Sequence, residues 1–181
     1  AELVHERTQG RVEVQVYPNS QLYLDGEETD ALINNHVQMI APATAKITEY
    51  FKELSLFDLP FLFEDYDQVH RFIDSDAGRK LLQNATGHGM ISLAMWDNGF
   101  KVMTSNRPLH TPDDFRGLRI RIMPSRVLDA QFAQLGAEAR YLPFSDVFAA
   151  LEKRWVDAAE NTPSNIYSKK FYTLQSHMTI S

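Results

Sequence analysis

"LRIRIMPSRVLDAQFAQLGAEARYLPFSDVFAALEKRWVDAAEN", residues 118–161, fixes the architecture of this chain. "LRIRIM" alternates apolar and basic residues, the period of a half-buried strand. Ser125 is placed to cap the helix "RVLDAQFAQL", which Gly136 can terminate. "EARYL" reads as a second strand, Ser145 as the start of the helix "DVFAALEK", and "WVDAAEN" as a third strand. Strand, helix, strand, helix, strand at such short spacing implies parallel strands joined by right-handed crossovers. The fold class is therefore α/β. Alternation also puts Arg119 and Arg121 on one strand face. A solvated face would carry both at little cost, whereas a binding cleft would use one as a tool.

Upstream, "TPDD" (111–114) offers an N-cap threonine, a proline at the first helical position and acids in the first turn. "AELVHERTQGR" opens in a helical pattern that ends near Gly10. "VEVQVYP" (12–18) alternates like a strand, "EETDALINN" (27–35) is a helix, and "VQMIAP" (37–42) is a short buried strand. "LSLFDLPFLF" (54–63) is broken by Pro60 and fits neither a long helix nor a central strand. Residues 67–87 are helical with an interruption near Asp74, and "GMISLAMWDNGF" (89–100) reads as a buried strand ending in an Asn98–Gly99 turn. The first segment begins inside a helix pattern and the last stops just after "HMTIS", so both ends are read as cut through structure.

With 181 residues, 44% hydrophobic and 23% charged, the composition is that of a globular chain with room for one good core or two small ones. A net charge of −6 with no basic stripe argues against a nucleic-acid partner. No apolar run approaches the ~18 residues of a spanning helix. The absence of cysteine excludes thiol catalysis, cysteine-bound zinc and disulfides; it suits the periplasm, though many cytosolic proteins share it.

Nucleotide and hydrolase fingerprints are missing: there is no G-x-G-x-x-G, no P-loop and no G-x-S-x-G. The histidines His5, His36, His70, His88, His110 and His177 lack ligand-pair spacing, so neither a metal nor another cofactor is expected. "EDYD" (64–67) is read as an acidic solvated turn rather than a calcium loop. Asp74 and Asp76 are read as helix-interruption and N-cap residues rather than an acid–base pair. "FDLPFLF" is read as core beneath a loop in preference to a docking surface.

From Ser105 onward a connected series resembles a known family. "RGLRIRIMPS", "LPFSDVFAAL" and "VDAAENTPSN" follow the order G-L-[KR]-[IL]-R, P-F-S-[DE]-V and V-D-x-x-E-N of the solute-binding proteins of TRAP transporters, tripartite ATP-independent periplasmic uptake systems for organic acids. "RVEVQVYPNSQLY" and "LFDLPFLF" are similar to the same family, so the resemblance spans nearly the whole chain. "WDNGFK" and "ENTPSN" resemble the branch that binds four-carbon dicarboxylates. The resemblance implies two α/β lobes closing like a flytrap on a small acid. Lobe I would be 1–98 and lobe II 99–181, both partial, with hinge strands near 96–101 and at the C-terminal end. The family's first strand and its C-terminal helical part have no counterpart here. The expected function is non-enzymatic capture of a dicarboxylate such as succinate, malate or fumarate in the periplasm, with delivery to integral-membrane transporter subunits.

The resemblance also assigns residues. Arg121 takes the place of the arginine that salt-bridges the ligand carboxylate, Asn161 that of the ligand-binding asparagine, and Phe144 that of the phenylalanine packed on the ligand. Lys101 stands where a second arginine is common, keeping the charge without the planar fork. Gln21, Asp25 and Lys46 fall on pocket-lining positions of the first lobe, and Ala43 replaces a glutamate found where larger acids bind. Arg121 lies nearer the carboxyl end of its strand than Arg119, where open α/β sheets take ligands, which leaves Arg119 as a solvated neighbour. A sensor module using the same cleft is the alternative, followed by an organic-acid enzyme, for which the sequence offers no acid–base pair.

Overall fold

In the computed structural model, which describes residues 1–180, the second half of the chain builds a mixed sheet. Its strands are β1 (Val102–Ser105), β2 (Arg119–Ile122), β3 (Glu138–Tyr141), β4 (Ala158–Asn161) and β5 (His177–Thr179), in the spatial order β3-β2-β4-β1-β5. The α-helices are α1 (Glu2–Arg7), α2 (Glu28–Ile33), α3 (Tyr66–Asp74), α4 (Asp76–Asn84), α5 (Arg126–Gln134), α6 (Val147–Glu152) and α7 (Pro163–Ser168). β2 runs parallel to both β3 and β4, as the crossovers through α5 and α6 require. β1 joins antiparallel to β4 and to β5.

Each face of the sheet has its own core. On one, Ile120 and Ile122 meet Leu128 and Phe132 of α5, with Leu118, Phe115 and Leu109 closing the edge. On the other, Val102 and Ala159 meet Val147, Ala150 and Leu151 of α6, together with Ile166 and Phe171. Ile120, Ile122, Val147 and Phe171 are fully buried, each worth about 1.5–3 kcal/mol of apolar transfer. The alternation read from 118–123 is thus a core stripe on one side and arginines on the other.

Local signals explain the boundaries. Ser125 Oγ accepts the Leu128 N–H at 3.4 Å, capping α5. Gly136 ends it with φ +72°, a left-handed conformation that favours glycine. Thr111 and Asp114 form a capping box around a 3-10 turn at Pro112–Phe115. Ser145 does not cap the next helix: Phe144–Asp146 form a 3-10 turn, and Ser145 Oγ bonds Asp146 Oδ1.

The first half is more irregular than its pattern predicts. Residues 12–18, 37–42 and 89–100 are not strands. Val16, Met39, Ile91, Leu93 and Trp96 are all more than 60% exposed. Alternation or an apolar run supplies a side-chain pattern, but a strand also needs a neighbour to receive its N–H and C=O groups, and among the described residues these segments have no ladder partner beyond an isolated Gly87–Met90 bridge. The helical stretch at 67–87 does break where expected, into α3 and α4. Ser75, not Asp74 or Asp76, is the cap, its Oγ accepting the Gly78 N–H at 3.2 Å; Asp76 instead pairs with Arg79 at 2.7 Å. Within "EDYD", Asp65 caps α3 through the Gln68 N–H at 2.7 Å. A side chain at Gly78 would meet the Phe72 carbonyl oxygen at 2.2 Å, so only glycine allows the two helices this close approach.

"LSLFDLPFLF" divides in two. Leu54 is buried with Phe51, Leu81, Ala85 and Met90 in a third cluster, and Phe57 packs on Phe63 and Phe72. Directly beyond Pro60, Phe61 and Leu62 face outward, Phe61 being 83% exposed, before Phe63 turns back to the aromatic cluster. The core reading therefore holds for the first part and fails for Phe61 and Leu62.

Candidate functional site

The carboxyl ends of the parallel strands β2, β3 and β4 lie at one end of the sheet, the place where open α/β sheets form their ligand crevice. Arg121 stands there between Ala159 of β4 and Arg140 of β3. It is 1% exposed. Its Nε and Nη2 both donate to the Leu142 carbonyl, at 3.0 and 2.8 Å, so the loop after β3 fixes the guanidinium. Among the described residues no carboxylate comes within salt-bridge distance of it. Burial pulls its pKa down, while the more distant charges of Glu160 and Asp25 work against that. A buried, forked cation held by one neutral acceptor is a site in want of an anion.

Arg119 is a different kind of residue. Its Nε and Nη2 grip the two oxygens of Asp157 at 2.8 and 2.7 Å, and its backbone N–H adds a third bond at 3.2 Å. Hydrogen bonding to Asp157 raises the Arg119 pKa, and the same bond lowers that of Asp157. Arg119 is the exposed neighbour expected, its side chain 39% accessible, but it is paired rather than free. The register of β2 and β4 carries Asp157, just before β4, alongside it, and the pair clips the strands together.

The first half of the chain reaches this crevice through Asp25. Its Oδ1 accepts from Lys46 Nζ at 2.7 Å and its Oδ2 from the Phe144 N–H at 2.7 Å. Lys46 sits on a 3-10 turn (Thr44–Ile47) whose N-cap is Ala43. The Phe144 ring meets Phe171 edge-on at 6.1 Å, and Lys169 Nζ lies 5.2 Å from its centre. Asn161 shares the strand face of Ala159, and so of Arg121. Its Oδ1 accepts from the Thr162 N–H at 2.9 Å and from Asn165 Nδ2 at 2.8 Å, while its own Nδ2 makes no hydrogen bond among the described residues. Arg121, Asp25, Lys46 and Phe144 are thus brought together, with Asn161 on the same face. Gln21 is exposed and stands apart from them in the hydrogen-bond network. Lys101 pairs with Asp58 at 2.8 Å and lies 3.7 Å from Glu160, which projects from the opposite face of β4.

Sequence reasoning missed Asp58, Leu142 and Glu160, and gave Ser125 only its capping role. One signal was available: Asp58 is a lone acid inside an apolar run, a position that demands a partner. Glu160 is buried, and burial raises its pKa despite Lys101 and Arg121 nearby.

Asp25 gives the crevice a pH dependence. Burial acts to raise its pKa, but the Lys46 bond, the Phe144 N–H and the charges of Lys46 and Arg121 together leave it below the ordinary 3.8. A depressed carboxylate contributes stability that is present above its unfolded value and is lost as pH falls through the folded one. We expect the melting temperature of the full-length protein to fall as pH drops below 3.8, and Asp25→Asn to remove part of that dependence. Identical acid profiles for the two proteins would refute the assignment.

The sheet end thus carries a buried arginine without a carboxylate partner, an amide whose oxygen is already engaged and a partly buried phenylalanine on the same face. The profile of the DctP family, described as bacterial extracellular solute-binding protein, family 7, matches residues 1–181, and the chain belongs to that family. It is 46% identical over 181 residues to the C4-dicarboxylate-binding periplasmic protein DctP of Rhodobacter capsulatus, covering 99% of this chain and 54% of that protein. It is 44% identical over 182 residues to the C4-dicarboxylate-binding protein DctB of Bacillus subtilis, covering 100% of this chain and 52% of the relative. Among solved structures it resembles a TRAP periplasmic solute-binding protein of Sulfurospirillum deleyianum with bound succinate, at a TM-score of 0.95 and 45% identity over 98% of this chain and 58% of that one. A TRAP solute-binding protein of Pseudomonas aeruginosa with bound L-malate gives 0.93 and 45%, over 98% of this chain and 62% of that one. The chain spans about half the length of the curated relatives it matches. No helix among the described residues is long and apolar enough to cross a membrane.

Proposed function

We propose that this chain forms the larger share of the ligand site of a periplasmic TRAP solute-binding protein that captures a four-carbon dicarboxylate and hands it to integral-membrane subunits. The observation that carries the reading is Arg121, buried, forked and without a carboxylate partner. One ligand carboxylate accepts from its remaining donors, Asn161 Nδ2 donates to an oxygen, and Lys101, which flanks the same end of β4 from its other face, attracts the second carboxylate as a point charge. Phe144 excludes water and so strengthens these interactions. In this reading residues 1–98 belong to one lobe and 99–181 to the other, hinged near 96–101, and Asp25 and Lys46 line the first lobe's side of the cleft. Similarity to relatives named for C4-dicarboxylates, and to structures holding succinate and malate, supports the choice of acid.

A thermal-shift panel of succinate, malate, fumarate and larger sugar acids on the full-length protein tests it. A ligand at 100-fold excess over Kd adds about 2.7 kcal/mol of stability. We expect the four-carbon diacids to give the largest shifts. A protein whose melting is unmoved by every acid would defeat the transport reading.

A further inference from the structure

Asp58 ends the 3-10 helix Lys52–Asp58 in the first half of the chain, yet both its oxygens serve the second half. Oδ1 accepts from Lys101 Nζ at 2.8 Å, and Oδ2 accepts from Ser125 Oγ at 2.8 Å. Its side chain is only 2% exposed, against 29% for Lys101. Ser125 is itself the cap of α5, so the carboxylate is tied to a fixed helix end. Lys101 also lies 3.7 Å from Glu160 Oε2, a buried oxygen without a hydrogen-bond partner. The ammonium has three donors, and the bond to Asp58 uses one of them. The partial exposure of the side chain keeps the group reachable. An untethered lysine carries a flexible four-carbon stem whose rotamers a ligand would have to freeze on arrival, whereas a tethered one is already ordered.

We propose that Asp58 is a positioning residue that tethers Lys101 for a ligand's second carboxylate and so sets the preference for acids with two carboxylates over acids with one. This rests on the dicarboxylate reading above. Arg121 meets the first carboxylate whichever acid is bound; Lys101 matters only when a second is present. Without the tether, the ammonium is free to turn to Glu160 or to solvent. The link also crosses from the first half of the chain to the sheet, so the second carboxylate is gripped only when the two halves are together.

The test uses the full-length protein and two four-carbon acids, succinate and butyrate, by direct titration. Asp58→Asn should weaken succinate about tenfold and butyrate less than about twofold. Lys101→Met should do the same, and the double variant should bind succinate no worse than Lys101→Met alone, because the two residues act as one unit. Without ligand, Lys101→Met should lower the melting temperature by stranding Asp58, and adding Asp58→Asn should restore much of it. Equal weakening of both acids, losses that multiply in the double variant, or no restoration of melting would each overturn the inference. An unsubstituted protein that binds neither acid would instead overturn the dicarboxylate reading on which it rests.

Discussion

Arg121→Met is expected to remove measurable succinate binding while leaving the ligand-free melting temperature almost unchanged. Leaving one partner of a buried charge pair alone costs about 2–5 kcal/mol, and each ~1.4 kcal/mol is tenfold in affinity. The loss should therefore run from roughly thirtyfold to several-thousandfold. Stability behaves differently because Arg121 is a desolvated cation without a nearby carboxylate. Methionine of similar length relieves that desolvation while leaving the Leu142 carbonyl without its donors, two effects of opposite sign. Arg119→Ala should do the reverse. It opens the Asp157 clip, so the melting temperature drops slightly, and succinate affinity stays within about twofold because nothing in the crevice loses a donor. Calorimetric titration of the two variants separates these outcomes, and equal affinity losses would refute the assignment of Arg121 as the clamp.

The contrast between the two arginines also shows where sequence reasoning stops. Period-two alternation put them on one face and could go no further, since what separates them is distant in sequence. Asp157 comes 38 residues later and engages Arg119 only because β4 lies beside β2. The βαβαβ segment from 118 to 161 was legible because its signals are local: caps at Ser125, a left-handed glycine at 136, and crossovers short enough to force parallel strands. Segment 12–18 carried the same alternation and 37–42 and 89–100 the apolar runs of buried strands, but strand pairing is a property of two segments rather than one. Asp25 and Lys46 were reachable only through family resemblance, because nothing near Asp25 in sequence announces the Phe144 amide 119 residues away. Asp58 could have been suspected as a lone acid in an apolar run, but its partners could not be named.

Phe171→Ala and Phe144→Ala should divide stability from binding in the opposite sense. Phe171 is fully buried among Val102, Val147, Leu151 and Ile166, and it supports the Phe144 ring edge-on at 6.1 Å. Truncating such a side chain costs about 3–5 kcal/mol through lost transfer energy and the cavity left behind. In a protein as long as the full-length relatives that lowers the melting temperature by roughly 4–7 °C. Phe144 is only partly buried, and its backbone N–H, which holds Asp25, survives substitution by alanine. Phe144→Ala should therefore melt within a few degrees of the parent, a shift of about 1–2 °C per kcal/mol lost. It should nevertheless weaken succinate about tenfold, because water then screens the Arg121–carboxylate contact. Phe171→Ala at a temperature where it remains folded should lose less affinity than Phe144→Ala, since it loosens the wall without removing it. Unchanged succinate affinity in Phe144→Ala would mean that the ring is a core residue only, and that the crevice excludes water by other means.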